Sequence, residues 1–376
     1  MLTVLFISAI FLAYSNGAND NFKGVATLYG SGIVDYKTAI TIATITTFLG
    51  SIAAIFVAQG LIASFSGKGL VPQDVAGTAH FLMAVGFGAG CTVMLATRIG
   101  LPISTTHSLV GALVGAGLMS VGLNVNFQNL GNAFFLPLIA SPFIAFIFGA
   151  IVYGFFNRLR LALKLSKEAC ICVGKERKLI PVGTLSRHAN NSINLEAGEL
   201  TANTPTVHIG NTSQCFELYT GKIWRISVQK TLDAAHIVSA AAVSFARGLN
   251  DTPKIAGLLV TTQALNIQWG MIAIALGMAI GGLLNARRVA ETMSNKITEI
   301  NHGQGFSANL VTSFLVIVAS KFGVPVSTTH VSVGSIFGIG IVSGKRDNKV
   351  IRRILLSWLF TLPVAMAFSA LIYWLL

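Results

Sequence analysis

GLPISTTHSLVGALVGAG, residues Gly100 to Gly117, aligns without a gap on GVPVSTTHVSVGSIFGIG, residues Gly323 to Gly340, with 10 of 18 positions identical. A second phrase recurs in the same order: GANDNFK (Gly17 to Lys23) and GLNDTPK (Gly248 to Lys254). The chain is therefore two copies of one unit. Each copy sets the same polar residues inside apolar sequence, and short apolar segments punctuated by Gly and Pro at matching places in two halves are the mark of broken helices around a transport site.

The composition supports a lipid solvent. Of 376 residues, 53% are hydrophobic and 10% charged, with mean hydropathy +0.72. A soluble domain carries about 25% charged residues, so this chain has too few to cover a water-facing surface. The 38 glycines suit close approach of membrane helices. The formal charge of +13 does not point to nucleic acid, because the basic residues lie mainly between apolar segments, where the positive-inside rule places them. Cys91, Cys170, Cys172 and Cys215 lack zinc spacing and read as ordinary reduced thiols. The first apolar run is expected to be the first membrane helix and not a cleavable signal peptide.

Membrane spans of about 20 residues are expected near 1–20, 38–62, 77–98 and 133–157, and again near 231–249, 267–285, 305–321 and 354–376. Shorter apolar segments follow the repeated phrases at 22–34, 104–121, 252–264 and 327–343. The expected class is an all-α polytopic membrane protein with a membrane repeat over 1–160, a hydrophilic linker over 161–225 holding a little strand structure, and a second membrane repeat over 226–376. Seven Lys or Arg fall between Arg158 and Lys178, which assigns the linker to the cytoplasm. The loop at 122–132 then lies outside and carries no Lys or Arg, whereas its counterpart at 344–353 carries five. The loop at 63–76 holds only Lys68, while 286–304 holds Arg287, Arg288 and Lys296. Equivalent loops fall on opposite sides, so the two repeats are expected to be inverted, an arrangement used in alternating access.

Ser104, Thr105 and Thr106, and again Ser327, Thr328 and Thr329, stand at the start of apolar helices. Ser and Thr cap helix N-termini, and capped helices are the plain structural reading. Two such termini in repeats of opposite orientation also present unpaired N–H groups and partial positive charge to an anion. Asp20 and Asp251, with Asn19, Asn21 and Asn250, sit at the ends of apolar segments. A carboxylate at membrane depth is costly and marks function; with no arginine evidently paired to each, a metal cation or a proton is the expected partner. Lys23 and Lys254 follow both Asp residues and either neutralise them or attract the anion. His107 and His330 complete the hexads in a supporting role. Asp233 and His236 form a local i, i+3 pair. Arg98 and Arg247 lie close to the motifs, but Arg247 faces Asn16 in the repeat alignment, and neither arginine is placed in the site.

On GANDNFK with GLNDTPK and on the two Pro-x-Ser-Thr-Thr-His hexads, the chain resembles the PiT family, the inorganic phosphate transporters, across nearly its whole length outside the linker. The resemblance implies an inverted-repeat fold, a homodimer in the cell membrane, and import of phosphate driven by Na⁺ or H⁺, with sulfate carried by some bacterial members. It implies anion binding by the six Ser and Thr residues, and cation binding by Asp20 and Asp251 (Na⁺ if sodium-coupled) with Asn19 and Asn250. Asn21 has Thr252 as its counterpart, a departure from symmetry. No cofactor and no catalytic residue is expected. An anion channel and an intramembrane hydrolase using Ser, His and Asp are the other classes; the latter needs one asymmetric site, whereas this chain duplicates each candidate.

Overall fold

The computed structural model describes residues 1–163, 165, 168–182, 196–211, 219–260, 266–296, 301–344 and 348–376. Parts of the expected linker and segment 252–264, and Lys345 and Arg346 of the basic loop, lie outside the described residues. Two compact units emerge: one from Met1–Phe156 with His236–Leu376, the other from Asn157–Ala235.

The larger unit is helical. Eight helices among the described residues are long and apolar enough to cross a membrane, among them Leu2–Gly30, Tyr36–Val57, Ala79–Arg98, Phe127–Ala162 and His302–Lys321. A 20-residue helix is about 30 Å long, the thickness of a bilayer core. The outer faces confirm the solvent: Leu136, Ile139, Phe143, Ile147, Ile151 and Phe155 are all exposed, at the three- and four-residue spacing of a single helix face. Such a stripe is stable in lipid and not in water.

The repeat has a structural counterpart in reciprocal helix packing. A Cβ built on Gly17 would collide with the Met278 carbonyl, and one on the equivalent Gly248 with the Thr47 carbonyl. Gly281 meets Tyr14 as Gly50 meets Phe245. The segments after the hexads behave likewise: Gly111 and Gly115 press on Leu362 and Met366, and Gly334 and Gly338 on Pro142 and Phe146. Each repeat thus packs its small residues against the other repeat, so the two copies interlock and neither buries its apolar surface alone.

The copies differ at one place. The first opening helix (Leu2–Asp20) ends at the Asn-Asp phrase and gives way to a 3₁₀ turn, Lys23–Val25, and a short helix, Ala26–Gly30. The second runs unbroken from Val228 to Val260, with Pro253 inside it. The expected break in the second copy is therefore absent: Pro253 removes one backbone donor, but the helix continues through it.

The smaller unit is more ordered than expected. Strands β1 (Ala169–Val182), β2 (Glu196–Asn211) and β3 (Tyr219–Ser227) form an antiparallel sheet in the order β2-β1-β3. Cys172 opposes His208 on one side and Arg225 on the other. Cys172 is disulfide-bonded, which corrects the expectation of reduced thiols throughout; Cys91 and Cys170 are free.

Candidate functional site: a buried charge cluster between two half-helices

Lys23, Arg247, Lys254, Asp20 and Asp251 are the only Asp, Glu, Lys or Arg side chains buried among the described residues, and they form one cluster. Three cations face two carboxylates, so the cluster carries a formal excess of one positive charge.

The half-helices Thr105–Val121 and Thr328–Ser343 supply the frame. The Ser104 hydroxyl accepts the His107 N–H at 3.2 Å, and the Ser327 hydroxyl accepts the His330 N–H at 3.3 Å. Both serines are true N-caps, and each sits in extended backbone at its helix start. A glycine with positive φ, Gly100 in one copy and Gly323 in the other, turns the chain just before each half-helix, a conformation that side-chain-bearing residues seldom adopt. The two termini meet, with the His107 and His330 rings 4.3 Å apart. His107 Nδ1 lies 3.1 Å from Ser104 Oγ, and His330 stacks on Trp358.

The lysines join the repeats crosswise. Lys23 donates to Asp20 Oδ1 at 2.5 Å, to the Ile103 carbonyl at 2.5 Å and to Thr329 Oγ1 at 2.8 Å. Lys254 donates to Asp251 Oδ1 at 3.4 Å, to the Val326 carbonyl at 2.6 Å and to Thr106 Oγ1 at 2.8 Å. Thr106 donates to the Val326 carbonyl and Thr329 to the Ile103 carbonyl, both at 3.3 Å. Equivalent residues make equivalent bonds, and each lysine ties its own carboxylate to the half-helix of the other copy. The carboxylates are therefore not awaiting a cation in this arrangement, contrary to the reading of unpaired Asp residues; each already holds an ammonium.

Asn19 and Asn250 clamp the segments leading into the half-helices. Asn19 Nδ2 donates to Thr97 Oγ1 and to the Leu101 carbonyl, each at 3.0 Å, and its oxygen accepts the Ile103 N–H at 3.2 Å. Asn250 Nδ2 donates to Asp251 Oδ1 at 3.1 Å and to the Val326 carbonyl at 3.2 Å, while Ser320 donates to its oxygen at 3.3 Å.

Arg247 belongs to the cluster, which corrects its omission. Its Nη2 donates to Asn16 Oδ1 at 2.8 Å, its Nη1 to Asn21 Oδ1 at 2.9 Å, and its Nε lies 3.6 Å from Asp251 Oδ2. Asn16 in turn reaches Thr105, Asp251 and Asp20 at 3.0, 3.2 and 3.3 Å, and Thr105 donates to Asp20 Oδ2 at 3.0 Å. Alignment makes Arg247 and Asn16 equivalent, and they touch. A residue contacting its own repeat-mate lies on the pseudo-two-fold axis, where strict symmetry would oppose two like side chains. The missing counterpart was thus the signal for this pair, and reasoning from duplicated residues alone passes over it. His236, placed beside Asp233 by sequence, has its Nε2 3.0 Å from Thr27 Oγ1.

Among the described residues no three His, Cys, Asp or Glu side chains gather as a transition-metal site would need. The oxygens of Asp20, Asp251 and Thr105, which gather around the Asn16 amide N–H groups, are of the kind a hard cation takes. Paired helix N-termini, hydroxyls and buried cations are the donor groups that an oxyanion calls for, and they lie among the membrane-crossing helices of a polytopic membrane protein.

Comparison with known proteins agrees. Residues 16–369 match the phosphate transporter family, and the chain belongs to that family. It is 28% identical to a candidate phosphate permease of Pyrococcus abyssi, over 99% of this chain and 97% of that one. It is 27% identical to one of Haemophilus influenzae, over 98% and 95%. A solved structure described as a sodium-dependent phosphate transporter superposes with TM-score 0.72 at 23% identity, covering 100% of this chain and 98% of that one.

Proposed function

We propose that the chain is a secondary active transporter that imports inorganic phosphate across the cell membrane, driven by a gradient of Na⁺ or protons. One observation carries this reading: Lys23 and Lys254 are each shared between a carboxylate and a hydroxyl of the opposite half-helix. An anion arriving at Ser104, Thr105, Thr106, Ser327, Thr328 and Thr329 offers the ammonium groups a better partner. Asp20 then loses its ammonium and Asp251 keeps only Arg247, 3.6 Å away, and a buried carboxylate short of counter-charge is strongly unfavourable. A cation must follow. Coupling is thus an exchange of partners: the anion takes the lysines, and Na⁺ or a proton takes the carboxylates.

The description of the structural neighbour as sodium-dependent supports Na⁺, with Asp20 and Asp251 as its principal ligands and Asn19, Asn21 and Asn250 shaping the surroundings. Phosphate is favoured over sulfate because it keeps a proton near neutral pH and can donate to a carboxylate, whereas sulfate only accepts. The sheet unit is assigned to the cytoplasm by its basic flank, the repeats are assigned opposite orientations by their loop charges, and the functional unit is read as a homodimer. No residue is assigned catalysis and no cofactor is invoked.

The test is uptake of labelled phosphate into proteoliposomes with Na⁺ replaced by K⁺ at fixed pH, with and without a pH gradient, and with sulfate as competitor. Gradient-driven accumulation above equilibrium, lost in Asp20→Asn, supports the reading. Uptake that only equilibrates, or persists unchanged in that variant, refutes it.

A further inference from the structure

A cavity of ≈ 880 Å³ is lined by Thr97, Arg98, Asn285, Arg287, Arg288 and Glu291, among others. Thr97 belongs to two environments at once. It lines this cavity, and its hydroxyl accepts the amide of Asn19, which adjoins Asp20. One hydrogen-bonded layer therefore separates the cavity from the central charge cluster.

The charge of the cavity is lopsided. Three guanidinium groups face a single carboxylate. Arg287 Nε lies 3.2 Å from Glu291, with the side chains 80% and 55% exposed, so the pair is weak and leaves Arg287 free to turn. Arg288 Nη1 donates to the Arg98 carbonyl at 2.7 Å. A guanidinium has five donors, so most of the Arg288 fork remains for a ligand. Arginine forks match oxyanions in bidentate fashion.

In the repeat alignment Phe56 and Val57 stand where Arg287 and Arg288 do. Gly100 packs beside Arg288 and Thr292, whereas its equivalent Gly323 packs against Gly60, on the Gln59–Ser64 helix, which carries no charged residue. The central cluster is built twice, but the Arg287–Arg288 pair once. A feature confined to one copy serves one mouth of the molecule and not the shared machinery.

We propose that this cavity is a second oxyanion site, in which Arg98, Arg287 and Arg288 hold a phosphate group one layer outside the Asn19–Thr97 wall. Its volume exceeds that of one phosphate and lies in the range of ligand pockets, about 300–1,000 Å³. The ligand chemistry is a phosphate oxyanion, from free inorganic phosphate or from the headgroup of an anionic phospholipid. The role as a staging site for cargo rests on the function proposed above; the binding itself does not.

The test is chemical protection of the whole protein in lipid-free detergent. Phenylglyoxal modifies accessible arginines, and peptide mass spectrometry locates them. Inorganic phosphate at millimolar concentration is expected to protect Arg98, Arg287 and Arg288, while chloride at equal ionic strength does not. Protection in phosphatidylglycerol nanodiscs without phosphate, and none by phosphate in detergent, assigns the oxyanion to the lipid and overturns the staging role. No protection by either overturns the proposal. Arg287→Gln, a change at a side chain 80% exposed, is expected to raise by about threefold to tenfold the phosphate concentration that half-protects Arg98 and Arg288 at low ionic strength, with less effect at high salt. Lys254→Gln should stop uptake and leave protection intact, so failure of the transport reading and failure of this one give different results.

Discussion

Removing the Asp251 carboxylate should do more damage than removing its repeat-mate. Asp251 faces two cations, Lys254 Nζ at 3.4 Å and Arg247 Nε at 3.6 Å; among the described residues Asp20 forms an ion pair with Lys23 alone, at 2.5 Å. At an effective dielectric constant of about 20, the gross attractions are about 5 kcal/mol for each of the first two and about 7 kcal/mol for the third. Desolvation offsets much of this, and stranding one buried charge costs about 3–5 kcal/mol net. Asp20→Asn strands Lys23, which keeps the Ile103 carbonyl and Thr329. Asp251→Asn strands Lys254 and Arg247 together and adds their mutual repulsion. It should therefore be the less stable variant in a thermal scan of the purified protein, by at least about 1 kcal/mol. If the lost stabilisation also falls on the transport cycle, 3 kcal/mol slows phosphate uptake by about 150-fold. Arg247→Met in the Asp251→Asn background removes one stranded cation and should recover part of the stability, although Arg247→Met alone destabilises. Equal stability of the two Asp variants, or strictly additive effects of Arg247→Met and Asp251→Asn, would refute the reasoning.

Other outcomes follow from the packing and the caps. Gly17→Ala and Gly248→Ala drive a methyl into a facing carbonyl and should each cost about 1–3 kcal/mol by overpacking. Gly154→Ala, where a Cβ meets nothing within 4 Å, should be neutral or stabilise by up to about 1 kcal/mol; the same thermal scan reads all three. Ser104→Ala removes an N-cap worth about 1 kcal/mol and an anion donor, so it should raise the KM for phosphate, with Ser104→Thr restoring most of the loss. In a background without the native cysteines, a membrane-impermeant maleimide should label Gln128→Cys from outside intact cells and Arg352→Cys only after permeabilisation. Labelling of both from one side would contradict inverted repeats.

Much of this was legible in the sequence because duplication is a covalent fact. The paired hexads and Asn-Asp phrases located the half-helices, their caps and both carboxylates, and the charge deficit fixed the solvent. What escaped depends on the axis between the copies. Arg247 and Asn16 hold the centre because they differ, so a search for matched residues discards them. The pairing of Lys23 with Thr329 and of Lys254 with Thr106 crosses between repeats, and no spacing within either copy encodes it. Asn-Asp-Thr-Pro reads as a break, yet tertiary packing carries the helix through Pro253. A little strand structure was expected in the linker, but not a three-stranded sheet in the order β2-β1-β3, because which strands pair is set between segments and not by the residues of any one of them.

The central claim is that binding of the anion frees the carboxylates for a cation. Measuring phosphate binding to the purified protein across a Na⁺ titration, and Na⁺ binding across a phosphate titration, tests it most directly, with a parallel pH series for protons. Linkage requires each ligand to raise the affinity of the other by the same factor. The account predicts reciprocal enhancement for Na⁺ or for protons, abolished when Asp20 and Asp251 are both changed to Asn. Phosphate affinity independent of both cations would contradict it.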